Sequence, residues 1–246
     1  MEKRSIELKV NGLRVPAIFE GEAVDGLFRP LIDRLFSMKA ERDGRLVAFL
    51  AGPPGAGKST LSLALQRLAD ERQPGALQAL AMDGFHFLAA YIQCHWVERD
   101  GERLPMARVK GSPESFDREK LEAALRALRR GLARWPAYDR RLHDVVEGAA
   151  EVTGGILLVE GNWLLLNEPG FDHLRALCDF SIALWADEAL LKGRLIGRKR
   201  MGGSNPEAAE AHYAFCDLPN IRRYLQHSTR GDLNLRVTGD GSFERL

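Results

Sequence analysis

The sequence predicts an α/β fold of three layers, α/β/α, around a mostly parallel sheet of about five strands. Two observations carry this. Short apolar runs at 46–51, 77–82, 156–160 and 180–185 lack the polar alternation of half-exposed strands, as strands covered on both faces do. Between the first two lie a glycine-rich loop and a stretch with Leu61, Leu65 and Leu68 at helical spacing. Strand, loop, helix, strand is how a parallel sheet opens.

Taken in order, Ile6, Leu8 and Val10 alternate like a short strand, and 23–38 has the spacing of a helix through Val24, Leu27, Phe28, Leu31, Ile32 and Leu35. Pro30 marks either a kink in that helix or its true start. Residues 1–45 are expected to form an extension packed on a domain spanning 46–246. The strand LVAFLA is followed by the glycine loop, then a helix over 59–72 stopped by Gln73-Pro74-Gly75. A second strand over 77–82 ends at Asp83. Residues 84–116, punctuated by Gly and Pro, read as irregular structure over the site. Asp117 caps a helix that continues over 120–134, with RALRR as a solvated face. Residues 135–143 read as a loop and 148–155 as a hairpin or turn. After the strands at 156–160 and 180–185, Asp187 caps a basic helix ending at Met201-Gly202-Gly203. Pro206 opens another helix, DLPNIRRYL a further one, and LNLRV is the expected last strand.

The loop GPPGAGKST carries the most specific chemistry. Gly52, Gly57, Lys58 and Ser59 stand at the positions of G-x-x-x-x-G-K-[ST], a phosphate-binding loop. Glycines let the backbone curl so that successive N–H groups of Gly52, Pro54-flanking Gly55, Ala56 and Gly57 can point at an anion, with Pro53 and Thr60 bounding the turn. The following helix adds its positive end. Lys58 reaches β- and γ-phosphates, and Ser59 is a magnesium ligand. The expected cofactors are ATP and Mg²⁺.

Asp83 and Glu160 both end apolar strands, at the edge that faces a ligand crevice in an open α/β sheet. Asp83 is placed to take a proton from an attacking hydroxyl or to hold a magnesium water, and Glu160 to orient magnesium or an acceptor hydroxyl. His86 follows in DGFH as a candidate substrate contact. Downstream, Arg194 and Arg198 are four apart before a double glycine, so they share a helical face that could close on phosphates as a lid over about 190–206.

MDGFHF and VEGNWLLL together resemble the superfamily of phosphoribulokinase, uridine kinase and bacterial pantothenate kinase, nearest to the nucleoside/nucleotide kinase proteins sometimes labelled fructose transport system kinases. RVKGSPESFD resembles the pantothenate kinase segment after the second strand, and PAYDRRLHD the family's acceptor stretch. The resemblance implies strand order 2-3-1-4-5, Asp83 as general base, Glu160 as the strand-ending glutamate, and Arg194 and Arg198 as lid arginines. It brings Tyr138 and His143 to the acceptor, with Arg108 and Lys110 nearby, and Asn220 in DLPNIRR to the nucleotide base or ribose. It permits a homodimer. DGF stands where uridine kinases usually have Asp-Ser-Phe, which is closer to pantothenate kinase, although the chain is shorter than that enzyme.

The expected activity is transfer of the γ-phosphate of ATP to an alcohol of a small sugar- or nucleoside-like metabolite, with pantothenate as an alternative acceptor. A non-catalytic ATP-binding regulatory module is the alternative of another class. Asp-x-x-Gly, Asn-Lys-x-Asp and Leu-Ser-Gly-Gly are absent, which excludes signal GTPases and transporter ATPases. With 35 Lys+Arg against 34 Asp+Glu, global charge points to neither nucleic acid nor a membrane surface. Cys94, Cys178 and Cys216 are scattered and without zinc spacing. No apolar run approaches the roughly 20 residues of a membrane span, and MEKRSIELKV is unlike a signal peptide. The expected setting is reduced and cytoplasmic.

Overall fold

The computed structural model describes residues 2–10, 13–99, 101–239 and 241–246. The N-terminal extension is a β-hairpin followed by a helix. Strand β1 (Lys3–Val10) pairs antiparallel with β2 (Leu13–Glu20), and Ile6, Leu8 and Phe19 are buried. The second strand was not expected, because Pro16 interrupts its pattern; a two-stranded ribbon has free edges that tolerate the missing N–H. The helix runs as α1 (Gly21–Ala23), a π turn over Val24–Phe28, and α2 (Arg29–Ala40). Pro30 stands at the start of α2, one of its two expected roles, although helical turns precede it. It sits in the first turn of α2, and the wider π turn just upstream accommodates its ring and missing N–H.

The core follows the expected alternation. Strand β3 (Leu46–Ala51) is buried throughout and leads through the glycine loop into α3 (Lys58–Asp70), then β4 (Leu77–Ala81). Leu46, Ala48 and Leu50 face a cluster shared with α2 and α3, while Val47, Phe49 and Ala51 face one shared with Trp163 and Leu121. The period of two thus serves both covered faces of the sheet.

Residues 84–116 are more ordered than expected. They form a 3₁₀ turn over Met82–Phe85, helix α4 (Ala89–Cys94) and a hairpin of β5 (Trp96–Arg99) and β6 (Glu102–Pro105), with further 3₁₀ turns at Met106–Val109 and Pro113–Ser115. A small separate cluster of Ile92, Val97, Met106 and Val109 holds them. Helix α5 (Arg118–Leu128) is capped as expected, with the Asp117 carboxylate accepting from the Lys120 amide at 3.0 Å. It ends before the predicted boundary. Residues 135–143, expected as a loop, lie in the hairpin of β7 (Arg134–Asp139) and β8 (Asp144–Glu151). Pro136 sits at a register shift between Trp135 and Ala137, which is why the segment lacks a strand-like pattern.

Strands β9 (Ile156–Gly161) and β10 (Phe180–Ala186) complete the sheet's centre. Helix α6 (Glu188–Met201) follows; Asp187 occupies its N-cap position, but its side chain makes no capping hydrogen bond. Helix α7 (Pro206–His212) continues through a π turn at Tyr213–Asp217 into α8 (Leu218–His227). Strand β11 (Leu233–Val237) is not the last: β12 (Phe243–Arg245) adds an antiparallel edge. The sheet order is β12-β11-β10-β3-β9-β4. Its five parallel strands, numbered by appearance, read 2-3-1-4-5. Among the described residues no helix is long and apolar enough to cross a membrane.

One ion network pins the loop before β10 to the start of β3. Asp179 accepts from the Val47 amide at 2.8 Å and from Arg129 at 2.8 Å, and pairs with Arg42. Burial opposes its charge, but the Val47 amide and the two guanidinium groups outweigh that and hold the carboxyl below its ordinary range. A depressed carboxylate stabilises the fold above its unfolded value, and that contribution disappears as pH falls through the folded one. Asp179→Asn is expected to cost about 2 kcal/mol at neutral pH, a figure discounted for the partly exposed arginines. Its stability should then vary less than wild type below about pH 4. Urea melts at pH 7 and pH 3 check this; an unchanged pH dependence would remove the role given to Asp179.

Candidate active site

The phosphate loop takes its shape from backbone demands that only glycine meets at two positions. Gly55 and Gly57 have φ of 80° and 88°. Gly57 is also the residue before α3, so the chain turns directly into a helix whose first N–H groups face the loop. At Gly52 the constraint is space: a Cβ would stand 2.9 Å from the Leu184 Cβ. Ala56 is buried, and its amide donates to the Pro53 carbonyl at 3.2 Å.

Three strand ends converge beside this loop. Lys58 is buried, and its Nζ donates to the Pro53 carbonyl at 3.1 Å. Ser59 Oγ donates to Glu160 Oε1 at 2.7 Å, joining residues 101 positions apart. Burial lowers the proton affinity of Lys58, while Glu160 and Asp83 counteract it and Arg198 adds to the lowering. Burial raises the proton affinity of Glu160; Lys58 opposes the rise and Asp83 adds to it. Lys58, Glu160, Asp83 and Arg198 therefore share one electrostatic environment.

Asp83 stands in the 3₁₀ turn after β4. That turn is seated on the β7–β8 hairpin: a Cβ on Gly84 would collide with the Pro136 carbonyl, and Trp135 Nε1 donates to the Ala81 carbonyl at 2.8 Å. On the other flank a Cβ on Gly161 would lie 2.5 Å from the Met82 Cβ. Close backbone packing thus fixes the turn that carries the candidate base.

The expected acceptor residues gather next to Asp83. The His86 ring lies 3.9 Å from Phe116 and 5.6 Å from Tyr138, centroid to centroid, and its Nδ1 is 3.0 Å from the Asp83 carbonyl. Burial lowers the His86 pKa; Asp83 opposes this and Lys110 reinforces it. Lys110 Nζ donates to Tyr138 Oη at 2.7 Å and to the His143 carbonyl at 3.3 Å. His143 contributes that carbonyl from a left-handed backbone, φ 54°. Arg108 is turned elsewhere: its guanidinium lies over Phe215 at 4.3 Å, and its carbonyl accepts from the Cys216 thiol at 2.9 Å.

A cleft of about 540 Å³ opens over the loop, lined by Gly55, Gly57, Lys58, Ser59 and Thr60 and by the arginines Arg194, Arg198 and Arg140. Arg194 Nη1 donates to the Gly55 carbonyl at 3.4 Å, so α6 rests on the loop. Asn220 does not line this cleft. It is buried beside Gly111, and its Oδ1 has no hydrogen-bond partner among the described residues. Arg140 was missed from the sequence. It lies in PAYDRRLHD, where nothing local distinguishes it from Arg141.

No family model matches the chain. It is 40% identical over 241 residues to the uncharacterized protein YggC of Escherichia coli (strain K12), covering 97% of this chain and 98% of that one. A protein of Schizosaccharomyces pombe provisionally named a uridine kinase is 27% identical over 180 residues, 70% of this chain and 74% of its own length. Among solved structures, a protein of Silicibacter sp. TM1040 provisionally described as a fructose transport system kinase superposes with a TM-score of 0.73 at 32% identity, covering 84% of this chain and 98% of that one. Kinship with several P-loop kinases supports a catalytic, ATP-using enzyme. With the loop, the strand order and these relatives in agreement, the chain belongs to the P-loop kinase superfamily, with the fructose-transport-system-kinase group.

Proposed function

We propose that the protein transfers the γ-phosphate of ATP to an alcohol group of a small sugar- or nucleoside-like metabolite. The observation that carries this is the cluster at the ends of β3, β4 and β9: Lys58 buried beside Glu160, Ser59 bonded to Glu160 at 2.7 Å, and Asp83 close by. A phosphate-gripping module needs the loop alone. A second carboxylate at the next strand end is what transfer requires.

Magnesium fits this donor set. The hydroxyl of Ser59 and the carboxylates of Asp83 and Glu160 are hard oxygen ligands, and the burial and like charge that penalise ionised Glu160 are what a cation offsets. Ser59 would hold it directly, with Asp83 or Glu160 through water. When bound, magnesium neutralises charge on the β- and γ-phosphate oxygens. The loop amides and Lys58 hold the triphosphate. Asp83 accepts the proton of the acceptor hydroxyl as its oxygen bonds to the γ-phosphorus. The bond from that phosphorus to the β–γ bridging oxygen breaks, and the electron pair leaves with ADP. Arg194 and Arg198 offset the charge spread over the transferring oxygens. Tyr138, His143, Lys110 and His86 shape the acceptor side.

The test is ADP release from ATP and magnesium across a panel of sugars, nucleosides and pantothenate. At least one alcohol is expected to raise release well above the water-only rate. Tight ATP binding with no acceptor-dependent release from any of them would favour a non-catalytic nucleotide-binding module instead.

A further inference from the structure

Arg140 stands at the junction of two clefts. One lies over the phosphate loop; the other, of about 220 Å³, lies between α3 and the β7–β8 hairpin and is lined by Asp83, Tyr138 and Glu160 among others. Ser59 and Arg140 are the residues that line both. Arg140 follows directly after β7, and the turn that presents it is braced by the Asp139 carboxylate, which accepts from the Arg141 amide at 2.7 Å and the Leu142 amide at 3.2 Å. The base of the hairpin is locked, through Trp135 and Pro136, to the turn that carries Asp83. The side chain is exposed and forms no ion pair among the described residues. An unpaired guanidinium held over a phosphate cleft, on a rigid base and a braced turn, is the form that phosphate recognition by arginine takes.

We propose that Arg140 is a catalytic arginine that grips the γ-phosphate from the acceptor side, together with Arg194 and Arg198. Its electrostatic reach agrees: Arg140 favours the ionised form of Glu160 and disfavours the charged form of Arg198. The hairpin that brings Arg140 also brings Tyr138, so the same element touches the phosphoryl group and frames the acceptor. This rests on the kinase reading above and adds a third arginine to it, supplied from outside the lid helix.

The test needs no knowledge of the acceptor. Binding of ADP and of the non-hydrolysable β,γ-imido analogue of ATP, each with magnesium, is measured by calorimetry on wild type, Arg140→Ala, Arg140→Lys and Arg141→Ala. Wild type is expected to prefer the triphosphate. Arg140→Ala should lose about tenfold of that preference with ADP affinity unchanged, the scale of one charge-assisted contact. Arg140→Lys should recover part of it, and Arg141→Ala should match wild type. An unaltered preference in Arg140→Ala overturns the assignment. So does equal weakening of both nucleotides, or an equal effect of Arg141→Ala, since either would reflect general charge. Wild type binding neither nucleotide would overturn the kinase reading itself along with it.

Discussion

Lys58→Ala is expected to lower acceptor-dependent ADP release by about 10²–10³-fold, the scale set by removing one preorganised donor from a developing anion. The reason is local. Lys58 is buried, held on the Pro53 carbonyl at 3.1 Å, and surrounded by Glu160 and Asp83. Its charge is fixed where the phosphates would lie, so no side-chain ordering is needed at the moment of transfer. Removal has a second effect. Glu160 loses the opposite charge that counters its burial, and should bind a proton more readily in the variant. Two measurements separate these effects: kcat with the best acceptor found, and thermal stability of Lys58→Met with and without Glu160→Gln. If stability is lost in Lys58→Met and recovered in the double variant, the buried pair is electrostatically coupled. Full turnover in Lys58→Ala would end the phosphate-loop reading.

Asp83→Asn is expected to reduce kcat by about 10²–10⁴-fold, the range of a lost general base, with nucleotide affinity within a few-fold of wild type. The substitution keeps the shape of the turn. Gly84 remains packed on Pro136, and Trp135 still donates to the Ala81 carbonyl, so the hairpin should stay seated. What changes is proton acceptance and one negative charge beside Glu160. Single-turnover kinetics with the β,γ-imido analogue as a binding control make the distinction. An equal loss of turnover and of nucleotide affinity would reassign Asp83 from proton acceptor to nucleotide or metal support.

The donor side was legible because its parts are contiguous. Eight residues contain the loop's geometry, and the strand and helix that flank it announce themselves by local spacing. Asp83 and Glu160 were legible for a related reason: each ends an apolar run, and strand ends of a parallel sheet share one edge. The residues expected at an acceptor were harder. Tyr138 and His143 came from a resemblance, and the segment holding them was expected to be a loop. Pro136 hides the strand, and a hairpin is stabilised by its partner and by what it packs on rather than by its own pattern. The same holds for β2, where Pro16 breaks the alternation. Helix α5 was expected to run to Arg134 but ends at Leu128, where Gly131 turns left-handed at φ 99° and the Leu132 amide closes back on the Ala127 carbonyl.

The sequence by itself determined the layered α/β architecture, the phosphate loop and the two strand-ending acids, since short-range spacing encodes each. Only the tertiary structure decided which residues meet around them. The Ser59–Glu160 bond spans 101 positions, the Lys110–Tyr138 bond spans 28, and Arg140 lines the cleft over the loop from a hairpin seated by backbone packing at Gly84. Such contacts depend on closing long stretches of chain against a common sheet, and no local pattern of residues records that closure.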